Sequence, residues 1–298
     1  MNEVVLGSRH QRWPDKAFFK RMLWSAVGSV ALGGLYAWPF EEHYIRIERH
    51  DMLLPGLGDE FCGTTIAHIS DLHCSPVVLK SYLRRCTEAI NDLHPDFVAI
   101  TGDFITGSKR YARRVAKVLS ALKPKIATVA CLGNHDYGVF HPRGFGPKRN
   151  LSWYITERLS MADVFVMLNE SRTFRRGNAA IQFVGLEDYW TSNFDPELAF
   201  DLVHPHLPTI ALCHNPDPAK RLAKCGANWI LAGHTHGTVK PQAQFSDLFF
   251  PVGTRQFAAG RYQLDSGADL YVNRGIAYGR RVSLNSRPEI TLFTLGKG

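Results

Sequence analysis

Short apolar runs alternate with amphipathic segments over most of the chain. The apolar runs are brief, rich in β-branched residues and bounded by polar turns, which is typical of buried strands. They fall at residues 64–71, 96–103, 125–136, 180–188, 209–215 and 228–236. Two segments between them, 77–93 and 111–123, have apolar residues at spacings of three and four and basic residues on the opposite face. This amphipathic pattern predicts helices. The alternation predicts βαβ units and an α/β fold in which helices cover a sheet.

The pattern changes toward the C-terminal end of the sequence. After residue 245 the stretches "ADLYVNRGIAYG" and "EITLFTLG" predict closing strands with no helix between them. The sequence contains no internal repeat and no low-complexity tract. We therefore assign residues 61–298 to one main domain.

The first 60 residues differ from the rest. Residues 22–40 carry no charge, have Trp24 and Trp38 near their ends, and are about long enough to cross a bilayer. They predict a single N-terminal anchor in the cytoplasmic (inner) membrane, with a monotopic or buried helix as the alternative because the stretch contains glycines and serines. Basic residues precede it, so the positive-inside rule places the N-terminus in the cytoplasm and the main domain outside. Residues 1–60 are thus interpreted as a basic segment that carries the anchor.

The composition is that of a globular chain with an anionic partner. The sequence has 298 residues, 45% hydrophobic and 21% charged, which is enough for a large core in one or two domains. The net charge of +8 favours phosphorylated metabolites, nucleic acid or a membrane surface, with a merely basic surface as the alternative. The six cysteines are spread singly, so neither a thiolate zinc site nor a redox motif is predicted. Their positions inside apolar runs favour a reducing compartment.

Residue types that commonly bind metal ions follow nearly every predicted strand. A single strand-ending Asp is usually a turn former or helix cap, but in α/β sheets ligands bind beyond the carboxyl ends of the strands. These side chains should therefore converge on one crevice. A spacing of two residues, as between His234 and His236, places both side chains on one side of an extended segment. The candidates are Asp71, His73, Asp103, Asn134, His135, Asp136, His214, His234 and His236.

The donor atoms point to a particular class of metal site. A mixed set of His, Asp and Asn without thiolate suits Mn, Fe or Zn rather than a structural cysteine–zinc site. There are too many donors for one ion, which implies two ions that share a carboxylate. Paired ions about 3.5 to 4 Å apart generate a hydroxide and clamp both oxygens of an in-line displacement at phosphorus. The residues thus predict a two-metal phosphoester hydrolase.

The blocks "DLH", "GD", "GNHD", a later His and "GHTH" occur in this order over roughly residues 64–237. In this they resemble the calcineurin-like metallophosphoesterase superfamily. The resemblance implies a four-layer αββα sandwich that carries its metal ligands on loops at the carboxyl ends of strands. It also implies two divalent metal ions, with Mn favoured and Fe or Zn as alternatives.

Carried over position by position, the resemblance assigns metal ligands and a catalytic pair. His135 would be the non-ligand histidine that stabilises or protonates the leaving oxygen, and Asp136 would orient it. Asp103 would bridge the two ions. The other ligands would be Asp71, His73 and His236 for the first ion, and Asn134, His214 and His234 for the second.

A finer resemblance concerns the substrate. The apolar N-terminal stretch, the "CHNPD" block at 213–217 and the tail at 271–295 are similar to the membrane-linked bacterial branch of the superfamily. That branch includes YkuE-type phosphodiesterases and the UDP-2,3-diacylglucosamine pyrophosphatases of lipid A biosynthesis. The resemblance implies an anionic phosphoester substrate, lipid-linked or nucleotide-linked, acted on beside a membrane.

Two alternatives remain beside the lipid A pyrophosphatase. One is a general cell-envelope phosphodiesterase, whose catalytic domain would lie outside the membrane, as the charge asymmetry around the anchor indicates. The pyrophosphatase would instead need its domain on the cytoplasmic side, where UDP-sugars occur. The side of the membrane on which the domain lies therefore stays open. The other is a non-catalytic membrane-tethered scaffold. No nucleic acid partner is expected, because the sequence lacks a groove signature of interleaved aromatic and basic residues.

Basic residues outside the motifs are further candidates for substrate contact. Residues 137–153 are rich in Gly, Pro, Arg and Lys and predict either a substrate-side flap or an ordinary solvated loop. In a flap, Arg143, Lys148 and Arg149 would meet phosphate oxygens. Arg280 and Arg281 are candidates of the same kind.

Overall fold

A computed structural model describes residues 16–36, 44–141, 149–237, 256–278 and 287–298. Contacts within the chain divide it into two compact units, Met1–Glu41 and Glu42–Gly298. Four of the basic residues proposed to contact substrate lie outside the described residues: Arg143, Lys148, Arg280 and Arg281.

The smaller unit contains one described helix, α1, over Lys16–Tyr36. Lys16, Lys20 and Arg21 lie at its start, and serines and glycines interrupt its apolar residues, which lowers its hydropathy. Within the described ranges, no helix is both long enough and apolar enough to cross a membrane. The predicted anchor at about 22–40 is therefore wrong, and the localisation to the inner membrane that rested on it loses its support. Residues 37–40 of that stretch lie outside the described residues.

The described part of the larger unit contains strands, helices and a short 3-10 helix, Asp59–Phe61. The strands are β1 Arg46–Leu54, β2 Thr65–Ile69, β3 Phe97–Thr101, β4 Ala127–Cys131, β5 Val164–Val166, β6 Glu170–Arg176, β7 Ala179–Gly185, β8 Thr209–Leu212, β9 Trp229–Ala232, β10 Gly260–Gln263, β11 Asp269–Val272 and β12 Glu289–Lys297. The helices are α2 Lys80–Asp92, α3 Lys109–Leu119, α4 Ser152–Ser160, α5 Pro196–Phe200 and α6 Ala219–Lys224. Every strand and helix predicted from the apolar pattern is present. Most are shorter than the predicted segment, because the polar ends of those segments form loops.

The strands form two mixed sheets of six strands each, in the orders β1-β12-β2-β3-β4-β5 and β10-β11-β9-β8-β7-β6. In the first sheet β2 to β5 are parallel and β12 runs antiparallel to β2. In the second, β7, β8, β9 and β11 are parallel, with β6 and β10 antiparallel at the edges. The parallel strands of each sheet therefore deliver their carboxyl ends, and the loops that follow, to a common edge.

Alternation along the strands sorts the core into layers. Phe97 of β3 and Phe183 of β7 pack between the sheets with ring centroids 5.1 Å apart. The next residues along those strands point outward: Val98 packs beneath α2 and α3, and Val184 packs beneath α5 and α6. Because side chains of a strand alternate between its faces, each sheet contributes one face to the central layer and one to a helix layer. The predicted αββα sandwich is confirmed.

The sequence pattern missed the four edge strands, β1, β5, β6 and β10, and the helices α4, α5 and α6. In β1, "RIERHDMLL", only Met52 and Leu54 are fully buried, and no residue of β6, "ESRTFRR", is. An edge strand has one neighbour and an exposed face, so it lacks the apolar run that marks a central strand. β1 pairs with β12 from Arg46 to Leu54 although it precedes residue 61. The division of the chain at that residue stays a prediction.

Candidate metal centre

The loops that follow β2, β3, β4, β8 and β9 meet at one end of the two sheets. Backbone hydrogen bonds join them directly. The N–H of Asp71 donates to the carbonyl oxygen of Gly102 at 3.1 Å, and the N–H of Gly233 donates to that of His214 at 2.9 Å. Side chains from separate loops are therefore brought together by hydrogen bonds between the loop backbones.

The backbone is left-handed at many of the candidate ligands. The φ angle is +53° at Asp71, +42° at His73, +53° at Asp103, +72° at His234 and +50° at His236. This region is uncommon for residues other than glycine, and Asp, Asn and His adopt it most readily. The paired side chains thus reach one point from tight turns and not from an extended segment, which corrects the geometry expected from the spacing of two residues.

Asp71, His73 and His236 form a first buried cluster. Nε2 of His236 lies 3.3 Å from Oδ1 of Asp71 and 3.2 Å from Nε2 of His73. Nε2 of His73 lies 3.6 Å from the same carboxylate oxygen. That oxygen is buried and accepts no hydrogen bond from any described residue. The three donor atoms therefore face a common point.

Asn134, His214 and His234 form a second cluster, also buried. Nδ1 of His234 lies 3.0 Å from Oδ1 of Asn134 and 3.3 Å from Nε2 of His214. Asn134 is held by a hydrogen bond of 2.6 Å from its Nδ2 to the carbonyl oxygen of Val139. Its amide oxygen is thereby turned toward the histidines.

Asp103 lies between the two clusters. Its Oδ2 is 3.4 Å from Nε2 of His73 and 3.3 Å from Nε2 of His214, one histidine of each cluster. Its Oδ1 accepts a hydrogen bond of 2.9 Å from the N–H of His135. A Cβ at Gly133 would lie 2.4 Å from that Oδ1, so this glycine permits the close approach of the two loops.

The donor set fits divalent cations. Nitrogen and oxygen ligands about 2.0 to 2.2 Å from an ion lie about 3.0 to 3.5 Å from one another. The separations within the two clusters run from 3.0 to 3.6 Å. All the donors are imidazole nitrogens or carboxylate and amide oxygens, which suit Mn, Fe or Zn.

Further contacts fix the orientation of the histidine rings. Nδ1 of His214 donates to the carbonyl oxygen of Thr101 at 2.7 Å, which leaves Nε2 to face Asp103. Nδ1 of His73 lies 2.9 Å from the hydroxyl of Thr106. No sequence motif marked these threonines as site residues, although Thr101 begins the "TGD" stretch.

The electrostatics of the centre favour a positive charge. Burial opposes ionisation of Asp71, but the nearby His236 and His73 hold its pKa below the ordinary value. Burial also opposes protonation of His214, but Asp103 raises its pKa well above the ordinary range. Burial and the neighbouring His214 lower the pKa of His234 to about 3, which keeps this ring neutral. A divalent cation would be stabilised by the same buried carboxylates, Asp71 and Asp103.

His135 lies at the border of the centre. Its Nε2 is 3.9 Å from Oδ2 of Asp103, and its ring meets that of His73 edge to face with centroids 4.8 Å apart. Its donor atom also groups with those of His73 and Asp103 within 4.8 Å, so distance alone would allow it as a ligand. Its Nε2 lies farther from Oδ2 of Asp103 than those of His73 and His214 do, and its ring also meets Phe140 edge to face, which favours a role beside the ligands.

Asp136 is engaged with the backbone. Its carboxylate accepts hydrogen bonds from the N–H groups of Gly133 and Phe104, each at 3.0 Å. Burial and the nearby Asp103 raise the pKa of Asp136 to about 8. These bonds tie the loop that carries His135 to the loop after β3. That Asp136 also orients the His135 ring stays a prediction.

The loop after β7 adds two residues that the sequence analysis missed. The ring of Trp190 stands perpendicular to that of His234 with centroids 4.6 Å apart. Asp188 accepts a hydrogen bond of 2.9 Å from the N–H of Trp190, and burial raises the pKa of Asp188 to about 7. Asp188 ends the predicted strand 180–188, which is the signal that identified the other candidates; Trp190 belongs to no motif.

The fold and the centre together define a class of protein. Two mixed sheets between helices, with His, Asp and Asn donors on strand-end loops, are suited to metal-dependent phosphoester hydrolysis. The family model described as calcineurin-like phosphoesterase matches residues 64–238, and the chain belongs to this family. The protein is thus a metal-dependent phosphoesterase, and the resemblance drawn from its motifs is confirmed.

Three bacterial proteins are similar to this chain over nearly their whole length. UDP-2,3-diacylglucosamine pyrophosphatase LpxG of Chlamydia trachomatis is 27% identical, over 91% of this chain and 95% of its own. Metallophosphoesterase YkuE of Bacillus subtilis is 29% identical, over 94% and 96%. Phosphodiesterase YaeI of Escherichia coli is 27% identical, over 93% and 98%. The relatives therefore include both a pyrophosphatase and a phosphodiesterase.

Proposed function

We propose that the protein hydrolyses the pyrophosphate bond of UDP-2,3-diacylglucosamine or of a related lipid-linked substrate. The observation that carries this proposal is the similarity to LpxG over 91% of this chain. That similarity extends beyond residues 64–238, which the family model matches, into segments outside the common metal-binding blocks. The net charge of +8 is compatible with a diphosphate substrate.

The ligand roles follow the two clusters. We assign Asp103 as the bridge, since one of its oxygens faces a histidine of each cluster at 3.3 to 3.4 Å. Two bound divalent ions would activate the attacking water and neutralise the phosphoryl oxygens. Mn is the ion that we propose first, with Fe or Zn as alternatives, because the donors mix imidazole with carboxylate and amide oxygen. The remaining ligands are Asp71, His73 and His236 for one ion, and Asn134, His214 and His234 for the other.

His135 is the residue that we assign to the leaving oxygen. Its side chain is held in place by the rings of His73 and Phe140, and 8% of the residue is exposed, so it can meet a bound substrate. A histidine there donates a hydrogen bond or a proton to the oxygen that departs with the leaving group. Asp136 supports this role by holding the loop.

A general phosphodiesterase is the second candidate. The specific observation in its favour is the similarity to the phosphodiesterase YaeI, which covers 98% of that protein. The two-metal mechanism is the same for both candidates, and only the bond attacked differs.

The test is hydrolysis by purified protein with added Mn²⁺, using UDP-2,3-diacylglucosamine beside bis(p-nitrophenyl) phosphate. We expect turnover of the lipid nucleotide, and His135→Ala should lower kcat by a factor of about 10² to 10⁴. The matched control is His206→Ala, which removes an exposed histidine after α5 and should retain the wild-type rate.

Each result decides between the candidates. If only the simple diester is hydrolysed, the proposed lipid nucleotide substrate is rejected and the general phosphodiesterase is retained. No turnover of either substrate would contradict both, and full activity of His135→Ala would remove His135 from the mechanism.

A further inference from the structure

A cleft of about 470 Å³ opens beside His135. Besides His135, its lining includes Thr106, Tyr111, Phe140 and Arg149. Its volume falls within the range of small-molecule sites, about 300 to 1,000 Å³. The cleft is therefore large enough for a small molecule and borders His135, the residue assigned to the leaving oxygen.

The walls of the cleft combine apolar surface with positive charge. Phe140 packs edge-on against the ring of His135, with centroids 4.6 Å apart and planes at 87°. Tyr111 is buried, and the guanidinium groups of Arg110 and Arg114 lie 4.7 and 5.3 Å from its ring centroid. Among the described residues that line the cleft, Arg149 alone carries a charge at every pH of interest. Such a wall suits a ligand with an anionic group on a larger body.

Arg149 is held against the loop that carries His135. Gly138 has φ of +72°, and a Cβ there would lie 2.5 Å from the carbonyl oxygen of Arg149. The N–H of Leu151 donates to the carbonyl oxygen of Asp136 at 3.1 Å. The backbone of Arg149 is thus packed onto the turn that follows His135, so its exposed side chain starts from a defined position.

We propose that this cleft binds the leaving group of the substrate and that Arg149 selects leaving groups that end in a phosphate. The inference rests on the proposed role of His135 at the leaving oxygen. In hydrolysis of a pyrophosphate, the oxygen of water bonds to the attacked phosphorus and the bond from that phosphorus to the bridging oxygen breaks. The bridging oxygen then departs as part of a phosphate monoester. The leaving group of a simple diester carries no second phosphate.

Arginine is suited to this discrimination because its planar guanidinium binds two phosphate oxygens at once. Hydrogen bonds to a charged group contribute about 1.5 to 3 kcal/mol. Loss of such bonds corresponds to a factor of about 10 to 100 in kcat/KM.

The experiment compares three substrates with wild-type protein and Arg149 variants in Mn²⁺. The substrates are UDP-2,3-diacylglucosamine, UDP-glucose as a pyrophosphate without lipid, and bis(p-nitrophenyl) phosphate. For Arg149→Met we expect the ratio of kcat/KM for a pyrophosphate to kcat/KM for the diester to fall by about 10-fold to 100-fold. Arg149→Lys should restore part of that ratio, because it keeps the charge and loses the bidentate geometry. Arg84→Met, at an exposed position of α2, is the matched control and should leave the ratio unchanged.

The outcomes separate this inference from the proposed substrate. An unchanged ratio in Arg149→Met overturns the inference, even if the lipid nucleotide is hydrolysed. Hydrolysis of UDP-glucose and the diester but not of the lipid nucleotide, with a ratio sensitive to Arg149, keeps the inference and rejects the lipid substrate. If neither pyrophosphate is hydrolysed, both are rejected and a diesterase remains.

Discussion

At the scale of single residues, both halves of the proposed metal centre depend on Asp103. One carboxylate oxygen faces His73 and His214, and the other accepts the N–H of His135. The side chain is almost completely buried, and Gly133 leaves space for it where a Cβ would collide. A carboxylate in that setting requires nearby positive charge, which histidines and metal ions supply.

Asp103→Asn should therefore remove at least one ion from the protein. An amide is a neutral and weaker bridge, and we expect activity to fall by more than about 100-fold, beyond the loss typical of a residue that only supports a ligand. The measurement is metal content per chain by mass spectrometry, together with kcat.

Asp163→Asn is the matched control, because Asp163 is exposed and has φ of +57°, close to the +53° of Asp103. Two ions per chain and full activity in Asp103→Asn would contradict the bridging assignment.

At the scale of elements, Asp96 ties the start of β2 to the start of β3, at the ends of these strands remote from the metal centre. The N–H and the hydroxyl of Thr65 donate to Oδ2 of Asp96 at 2.8 and 2.9 Å. Nζ of Lys125 lies 3.3 Å from Oδ1. Burial would raise the pKa of Asp96, but these hydrogen bonds and the lysine lower it. These bonds fix the register of β2 against β3, and both strands lead from there to the metal centre.

Asp96→Ala should reduce the free energy of unfolding by about 1 to 3 kcal/mol at pH 7. A carboxyl whose pKa is lower in the folded protein stabilises it fully above the unfolded pKa, and loses that effect as the pH falls through the folded pKa. The difference from wild type should thus shrink in acid, below the ordinary carboxyl pKa of 3.8. The difference in the free energy of unfolding is measured by urea unfolding in EDTA at several pH values.

Asp92→Ala, at the exposed end of α2, is the control and should change stability little at any pH. A difference for Asp96→Ala that does not depend on pH would show that lost packing, and not the ionised carboxylate, is responsible.

At the scale of the whole molecule, the metal centre joins the two sheets. The first cluster takes Asp71 and His73 from the loop after β2 and His236 from the loop after β9. The second takes Asn134 from the first sheet and His214 from the second. Each proposed ion would thus be bound by side chains from both sheets, so metal binding and the packing of the sheets are linked.

Removing metal should therefore lower the thermal stability of the larger unit. An ion present at 100 times its dissociation constant stabilises the folded state by about 2.7 kcal/mol. This corresponds to a rise in Tm of about 5 to 10 °C for a unit of this size. The measurement is the melting curve in EDTA and after addition of Mn²⁺ or Zn²⁺.

Ca²⁺ serves as the comparison ion and should raise Tm less, because it prefers a shell of oxygen ligands. Coincident melting curves in EDTA and Mn²⁺ would contradict metal binding that spans the sheets.

The sequence by itself determined the central strands, the helices α2 and α3, and the identity of the candidate ligands. A buried strand or an amphipathic helix can be recognised from a short stretch of sequence, because its apolar residues repeat with the period of the element. The candidate ligands were identified for a related reason: the end of a parallel strand fixes where its loop will lie. The signal failed for β1 and β6, whose edge positions allow polar residues. It also misled at residues 22–40, where length suggested a span that the hydropathy of α1 does not support.

The grouping of the donors and the place of Asp103 between the clusters were implied by the family resemblance and by no local pattern, and only the tertiary structure decided that left-handed turns aim the side chains. These depend on contacts between residues far apart in the chain, such as His73 and His236, whose distance no local pattern encodes. The same holds for Trp190 beside His234 and for the cleft between Phe140 and Arg149. Local sequence specifies elements through burial and backbone preference, whereas a site is assembled where separate loops meet, and the packing of the two sheets sets that meeting point.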